Sequence, residues 1–231
     1  MIALRRRLRR DDAGVTLVET LIVMVLSSLL MSITVGFFVS VTMQTMKSES
    51  IRRSTADASN IMNVVSTAIR ASVNNAVESS TTPDPAIVAA SPTSVTVISY
   101  SDAGVTGTVG NVFETPLRLR YRVDTEGRMV EDRWAATKNT KGYAVFPAMT
   151  VDPDSTRILG NVVVNSSSDA LFRYYDSSGA QLGGSGDLTL AQRTAVTSVR
   201  FVVQVQSDQS QEIVELDNMI GMPNMYLATG S

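Results

Sequence analysis

The sequence predicts an α+β fold: a long N-terminal helix, transmembrane in its first half and amphipathic in its second, packed on an antiparallel β-sheet domain. Two observations carry this. From Val15 to Met46 the only ionisable side chain is Glu19, and beyond Met46 apolar residues recur at helical spacing. After a Ser/Thr/Pro break at Ser79-Ser80-Thr81-Thr82-Pro83-Asp84-Pro85, the pattern becomes period-two alternation cut by Asp- and Gly-containing turns. A helix followed by hairpins is the α+β order of elements.

The chain has 231 residues, enough for one anchor and one domain of ordinary size. Cysteine and histidine are both absent, which removes disulfides, thiolate chemistry, the commonest general base and the commonest metal ligand. No cofactor or metal is expected, and no catalytic constellation stands out. The formal net charge of −2 argues against a general nucleic-acid binder.

Taken in order, residues 1–14 are a basic leader with Arg5, Arg6, Arg7, Arg9 and Arg10 against Asp11 and Asp12. Removing those five arginines and two aspartates from totals of 20 and 22 leaves 15 basic and 20 acidic residues, a formal −5. Residues 15–43 are long and apolar enough to cross a bilayer, whose core needs about 20 helical residues. The positive-inside rule keeps the arginines in the cytoplasm and places the chain after Val41 outside the membrane. A conventional cleaved signal peptide fits poorly, because its apolar region is only about 7–15 residues long and ends at a small-x-small site. Residues 44–78 form the amphipathic half, with Ile51, Ala58, Ile61, Met62, Val65, Ala68, Ile69 and Val73 on one stripe.

Residues 84–231 form the β-rich domain. Ser94–Tyr100 alternates, and Leu117–Val123 alternates strictly, with Arg118, Arg120 and Arg122 on one face. Asp124-Thr125-Glu126-Gly127 turns the chain into a hairpin partner at Arg128–Trp134. A second hairpin joins Leu171–Tyr175 to Ala180–Leu182 through Asp176-Ser177-Ser178-Gly179. Val196–Val205 and Glu212–Leu216 complete the strands.

At Gly14-Val15-Thr16-Leu17-Val18-Glu19, after the basic leader and before the apolar helix, the sequence resembles the type IV prepilin and pseudopilin family. The resemblance implies cleavage between Gly14 and Val15 by a prepilin peptidase and N-methylation of Val15. It implies that Glu19, within the assembly motif with Thr16 and Leu17, pairs with the free amine of a neighbouring subunit. The implied partners are the peptidase, other pilin or pseudopilin subunits, the membrane and, indirectly, an assembly platform and its ATPase. Most members begin with Phe where this chain has Val15, and Gly36 stands where many major subunits carry Pro. The hairpins, with the Arg-rich strand and Phe172-Arg173-Tyr174-Tyr175-Asp176, look like those of W-type minor pilins and J-type minor pseudopilins. The implied role is a minor subunit of a type IV pilus or of a type II secretion or competence pseudopilus.

The charge chemistry agrees. A carboxylate in a membrane is costly unless paired, and cleavage after Gly14 leaves an amine one helical turn from Glu19. Two other classes compete with this reading. One is a single-pass anchored module binding a ligand or DNA outside the membrane without polymerising; the other, an anchored enzyme, is disfavoured by the residue inventory. The arginine face at Arg118, Arg120 and Arg122 is the conceivable DNA contact, but a solvated sheet face, with Glu126, Glu131 and Asp132 available to pair, is the favoured reading. Asp152-Pro153-Asp154-Ser155 reads as a turn before a Ca²⁺ site, Gly183-Gly184-Ser185-Gly186 as a loop, and Asn165-Ser166-Ser167 as a chance sequon.

Overall fold

The computed structural model describes residues 16–78, 80–99, 116–160, 170–206 and 212–226. Helix α1 (Leu17–Arg70) comes first. Strands β1 (Ile87–Ala90), β2 (Ser94–Ser99), β3 (Leu117–Val123), β4 (Met129–Ala135), β5 (Thr137–Lys138), β6 (Ala144–Val145), β7 (Ser155–Gly160), β8 (Phe172–Tyr175) and β9 (Gln181–Leu182) follow. Helix α2 (Leu190–Ala195), strands β10 (Ser198–Gln206) and β11 (Ile213–Gly221) and a 3-10 turn at Pro223–Tyr226 complete the order. The chain divides into two compact units, one up to Ser48 and one from Glu49.

In the first unit the described residues are almost entirely helix, and its large apolar side chains are exposed, Phe37 and Phe38 at 71% each. Several of its hydroxyls bond back to the helix backbone. Ser28 donates to the Val25 carbonyl, Thr34 to Leu30, Thr42 to Phe38 and Thr45 to Val41, at 2.8–2.9 Å. A helix that satisfies its polar groups internally is one of the few structures a bilayer core accepts.

The second unit is built on two antiparallel sheets, ordered β1-β2-β3-β4-β7 and β11-β10-β8-β9, with a small β5-β6 pair beside them. The amphipathic stripe of α1 is the element they enclose. Ala58, Ile61, Met62, Val65, Ala68 and Ile69 are buried in one core with Val95, Val97, Leu119 and Tyr121 from the first sheet and Phe172, Val199, Phe201 and Val203 from the second. Phe172 and Phe201 stack at 4.9 Å between ring centroids.

The amphipathic helix stops at Arg70, eight residues short of the expected end at residue 78. The stop is a tertiary effect. Ser72 Oγ caps the Ile69 carbonyl at 2.5 Å, the Val73 N–H leaves the helix for the Ile98 carbonyl at 2.9 Å, and Asn224 Nδ2 donates to the Arg70 carbonyl. Both expected hairpins form, and their turns share one device. Asp124 Oδ1 accepts from the Glu126 and Arg128 N–H groups, Asp176 Oδ1 accepts from Ser178 and Ala180, and each turn closes on a positive-φ glycine, Gly127 or Gly179. β11 runs to Gly221, beyond the expected Leu216. Strands β1, β5, β6 and β7 and helix α2 are additions to the sequence reading. Yet α2 opens on a capping box, Thr189 with Gln192, that the sequence displays as Thr-x-x-Gln.

Candidate functional site

The motif at the head of α1 is the first place to look for chemistry. Thr16 precedes the helix, and its Oγ1 accepts from the Glu19 N–H at 3.2 Å, while its carbonyl accepts from the Thr20 N–H at 3.1 Å. That makes Thr16 the N-cap, Leu17 the first helical residue and Glu19 the third, the Thr-x-x-Glu spacing of a helix start. A carboxylate in the first turn also faces the positive end of the helix dipole. Thr16, Leu17 and Glu19 are all exposed, so Glu19 is open to an outside partner. Gly14, Val15 and the leader arginines lie outside the described residues. The helix that follows contains a stretch long and apolar enough to cross a membrane. From Leu17 to Met46 it would span about 45 Å at 1.5 Å per residue, more than the roughly 30 Å of a hydrocarbon core. A Cβ added at Gly36 would meet nothing within 4 Å among the described residues, so packing among them does not require that glycine.

The arginine face of β3 is the second place. Strand register puts Arg118, Arg120 and Arg122 on the sheet face away from α1, together with Asp132 and Trp134 of β4. It is an ion-paired face. Arg120 Nη2 lies 2.6 Å and Arg122 Nε 2.8 Å from Asp132 Oδ2, and Thr156 Oγ1 donates to Asp132 Oδ1 at 2.7 Å. Burial alone would raise the Asp132 pKa, but hydrogen bonds from Arg122, Thr156 and Arg120 outweigh it and hold the carboxyl below its ordinary value. Arg120 also sits over the Trp134 ring at 5.0 Å. Arg118 is buried under the 144–151 segment: it lies 4.6 Å over the Phe146 ring and donates to the Pro147 carbonyl. Burial pushes its pKa down. Of the three acidic partners expected for this face, only Asp132 serves. Glu126 pairs with Arg128, and Glu131, one residue from Asp132, is turned by the strand alternation to the opposite face.

There Glu131 anchors a second network that sequence reasoning missed. Tyr121 donates its hydroxyl to Glu131 Oε2 at 2.8 Å, Arg157 Nη2 reaches the same oxygen at 3.1 Å, and Arg133 Nε reaches Oε1 at 2.5 Å. Burial first, and then the Glu131 carboxylate, push the Tyr121 hydroxyl well above its usual range, so it remains a donor. The network floors a half-open cavity of about 290 Å³ whose lining includes Asn63 and Thr67 of α1. Strict alternation of Arg133 with Glu131, and Tyr121 placed opposite Glu131, were the available signals.

Asp154 ties the start of β7 to the end of β4: its Oδ2 accepts from the Ala135 N–H at 2.7 Å and its own N–H donates to the Arg133 carbonyl at 2.8 Å. Gly183 and Gly184 hold positive φ in a loop. The sequon at Asn165 lies outside the described residues. Among the described residues no group of three or more acidic side chains is placed to hold a metal ion.

Residues 9–35 match the family described as the prokaryotic N-terminal methylation motif. No curated protein and no solved structure matches the chain.

Proposed function

We propose that this chain, a type IV prepilin-like protein by its N-terminal methylation motif, is a minor pilin or pseudopilin subunit. It enters a type IV pilus or a type II secretion or competence pseudopilus. The observation that carries this is the methylation motif over residues 9–35, set on a helix whose Thr16 cap leaves Glu19 exposed. Prepilin-like proteins are structural rather than enzymatic, which agrees with a chain lacking cysteine and histidine.

The mechanism follows from charge. Prepilin peptidase cuts between Gly14 and Val15 at the cytoplasmic face and the Val15 amine is methylated. Before assembly the subunit resides in the inner membrane as a single-pass protein with its β-sheets outside. Glu19 then pairs with the Val15 amine of a neighbouring subunit. Leaving a carboxylate unpaired in lipid is costly, so the pairing both favours and registers insertion. The exposed apolar residues from Leu17 to Met46 exchange lipid for other pilin helices. Gly36, which nothing among the described residues crowds, supports close helix approach there. The hairpin likeness and the absence of Pro at position 36 support a minor subunit.

The deciding experiment is intact-mass and N-terminal analysis of the protein from its native host. A mature chain beginning at methylated Val15 supports the reading. A chain beginning at Met1, or cut after the apolar run, overturns it and favours the anchored binding module.

A further inference from the structure

A cation taken out of water needs an anion beside it and acceptors for its N–H groups. On the outer face of β3 two of the three arginines are so provided. Arg120 and Arg122 each set Nε 2.8 Å from Asp132 Oδ2, and Arg122 Nη2 reaches the second carboxylate oxygen at 3.4 Å. Arg118, two residues before Arg120 on the same strand, is not. It is only 9% exposed, its Nε is buried without a hydrogen-bond partner, and among the described residues no carboxylate pairs with it. The charge of Asp84 is felt there, but Asp84 makes no ion pair with it.

The surroundings of Arg118 are dry. Its register neighbours, Ile98 of β2 and Trp134 of β4, are buried. Phe146, Pro147 and Met149 cover it: the guanidinium lies over the Phe146 ring, and Nη1 donates to the Pro147 carbonyl and to Met149 Sδ. This cover is lightly held. Among the described residues the only backbone–backbone bond made by residues 146–151 is internal, from the Val151 N–H to the Ala148 carbonyl. Besides Arg118, Trp134 Nε1 donates to the Val151 carbonyl, and Asn75 Nδ2 to the Ala144 carbonyl just ahead of the cover. A segment held by side chains instead of a strand ladder opens at lower cost than the sheet beneath it.

We infer that Arg118 is the seat of a carboxylate side chain from another protein, admitted when the 146–151 cover lifts. The guanidinium fork matches a carboxylate with two parallel bonds. Arg122 pairs with Asp132 in that way on this same face, through Nε and Nη2. Nε is the donor that Arg118 has left over. A water molecule would satisfy that donor but leave the charge uncompensated, whereas a carboxylate does both. The apolar walls at Ile98, Trp134 and Phe146 suit an acidic side chain flanked by apolar residues better than a free ion. The seat lies wholly in the second unit and uses no residue of the methylation motif, so it stands or falls independently of the filament role.

The test uses the full-length protein in detergent micelles at neutral pH and constant ionic strength. The probes are acetyl-Val-Glu-Val-amide, its Gln counterpart, sodium acetate and sodium phosphate. Emission from Trp134, the one tryptophan of the chain, reads binding, and the rate of Met149 sulfoxide formation under dilute peroxide, followed by mass spectrometry, reads lifting of the cover. The Glu peptide is expected to give a saturable emission change at about tenfold lower concentration than the Gln peptide. It is also expected to speed Met149 oxidation about threefold while buried Met129 stays unchanged. Arg118→Lys, which keeps the charge but loses the fork, is expected to abolish both responses. Equal responses to the Glu and Gln peptides overturn the seat without recourse to any variant, and a response that survives Arg118→Lys overturns Arg118 as its anchor. Acetate as effective as the Glu peptide overturns the protein occupant in favour of a free carboxylate, and phosphate more effective than either overturns the carboxylate.

Discussion

Glu131 and Asp132 are consecutive residues of β4, both buried to within 1% of complete, and they point to opposite faces of one sheet. Each is held by two arginines: Glu131 by Arg133 and Arg157, Asp132 by Arg120 and Arg122. The sheet is therefore cross-braced on both sides at one point along its length. Truncating a carboxylate in such a network strands the cations around it, which matters more than the net worth of the pairs. Asp132→Ala is expected to destabilise the β-sheet unit by about 2–4 kcal/mol, because Arg120 and Arg122 are partly exposed and regain some hydration. Denaturant unfolding of variant and parent in the same detergent measures it.

The same carboxylate predicts an acid limb. The Asp132 pKa is depressed in the folded state, so its stabilising contribution is present above the unfolded-state value near 4 and is lost as pH falls through the lower folded value. Thermal midpoints should fall steeply below about pH 4 in the parent. Asp132→Asn should start from a lower midpoint at pH 7 and show a flatter acid limb. An unchanged slope would assign the acid sensitivity to other carboxylates.

On the opposite face, Tyr121→Phe removes the hydroxyl that donates to Glu131 while keeping the ring in the core. Losing a hydrogen bond to a buried charge is expected to cost about 1.5–3 kcal/mol. The denaturation midpoint should fall with an unchanged m-value. Arg157→Ala, whose side chain is 47% exposed, should cost less.

Gly160 brings β7 close against α1. A Cβ there would lie 2.5 Å from Ile61 Cδ1 and 3.1 Å from Cγ1, and Ile61 is fully buried, so it has little room to yield. Gly160→Ala is expected to destabilise by about 1–3 kcal/mol, as overpacking does. Ile61→Val removes the methyl in the way. The double variant should therefore be less destabilised than the two single effects summed, a coupling that a double-mutant cycle reads directly.

How far the sequence was readable follows period and range. Helix α1 was legible because apolar spacing and the Glu19 position are local signals, and both Asp–Gly hairpins because Asp124 and Asp176 act within four residues. The end of α1 was not, because the Ile98 carbonyl that draws Val73 out of the helix is remote in sequence. That Arg118, Arg120 and Arg122 share one side of β3 follows from strict alternation, but their partners do not, and neither does the burial of Arg118: choosing Asp132 over Glu131 and Glu126 requires the register of β3 on β4. Strand β7 lacked clean alternation, since Ser155, Thr156 and Arg157 are exposed and polar and only Leu159 and Gly160 are buried. At the candidate site, Thr16 and Glu19 were visible as a motif, and the structure adds that Thr16 is the N-cap beneath it.

That cap separates two roles that one substitution would otherwise mix. Thr16 shapes the helix start, whereas Glu19 is exposed and in the proposed mechanism meets a neighbour's amine. Glu19→Gln keeps the size and a polar end but removes the charge. The expected outcome is normal cleavage after Gly14 and normal membrane residence, with incorporation into filaments reduced at least tenfold. Thr16→Ala should instead loosen the helix start by about 1 kcal/mol and leave incorporation much less affected. Sheared-filament fractions, compared with membrane fractions by immunoblot, read both variants. Full incorporation of Glu19→Gln would remove the charge pairing from the mechanism while leaving the processing step intact.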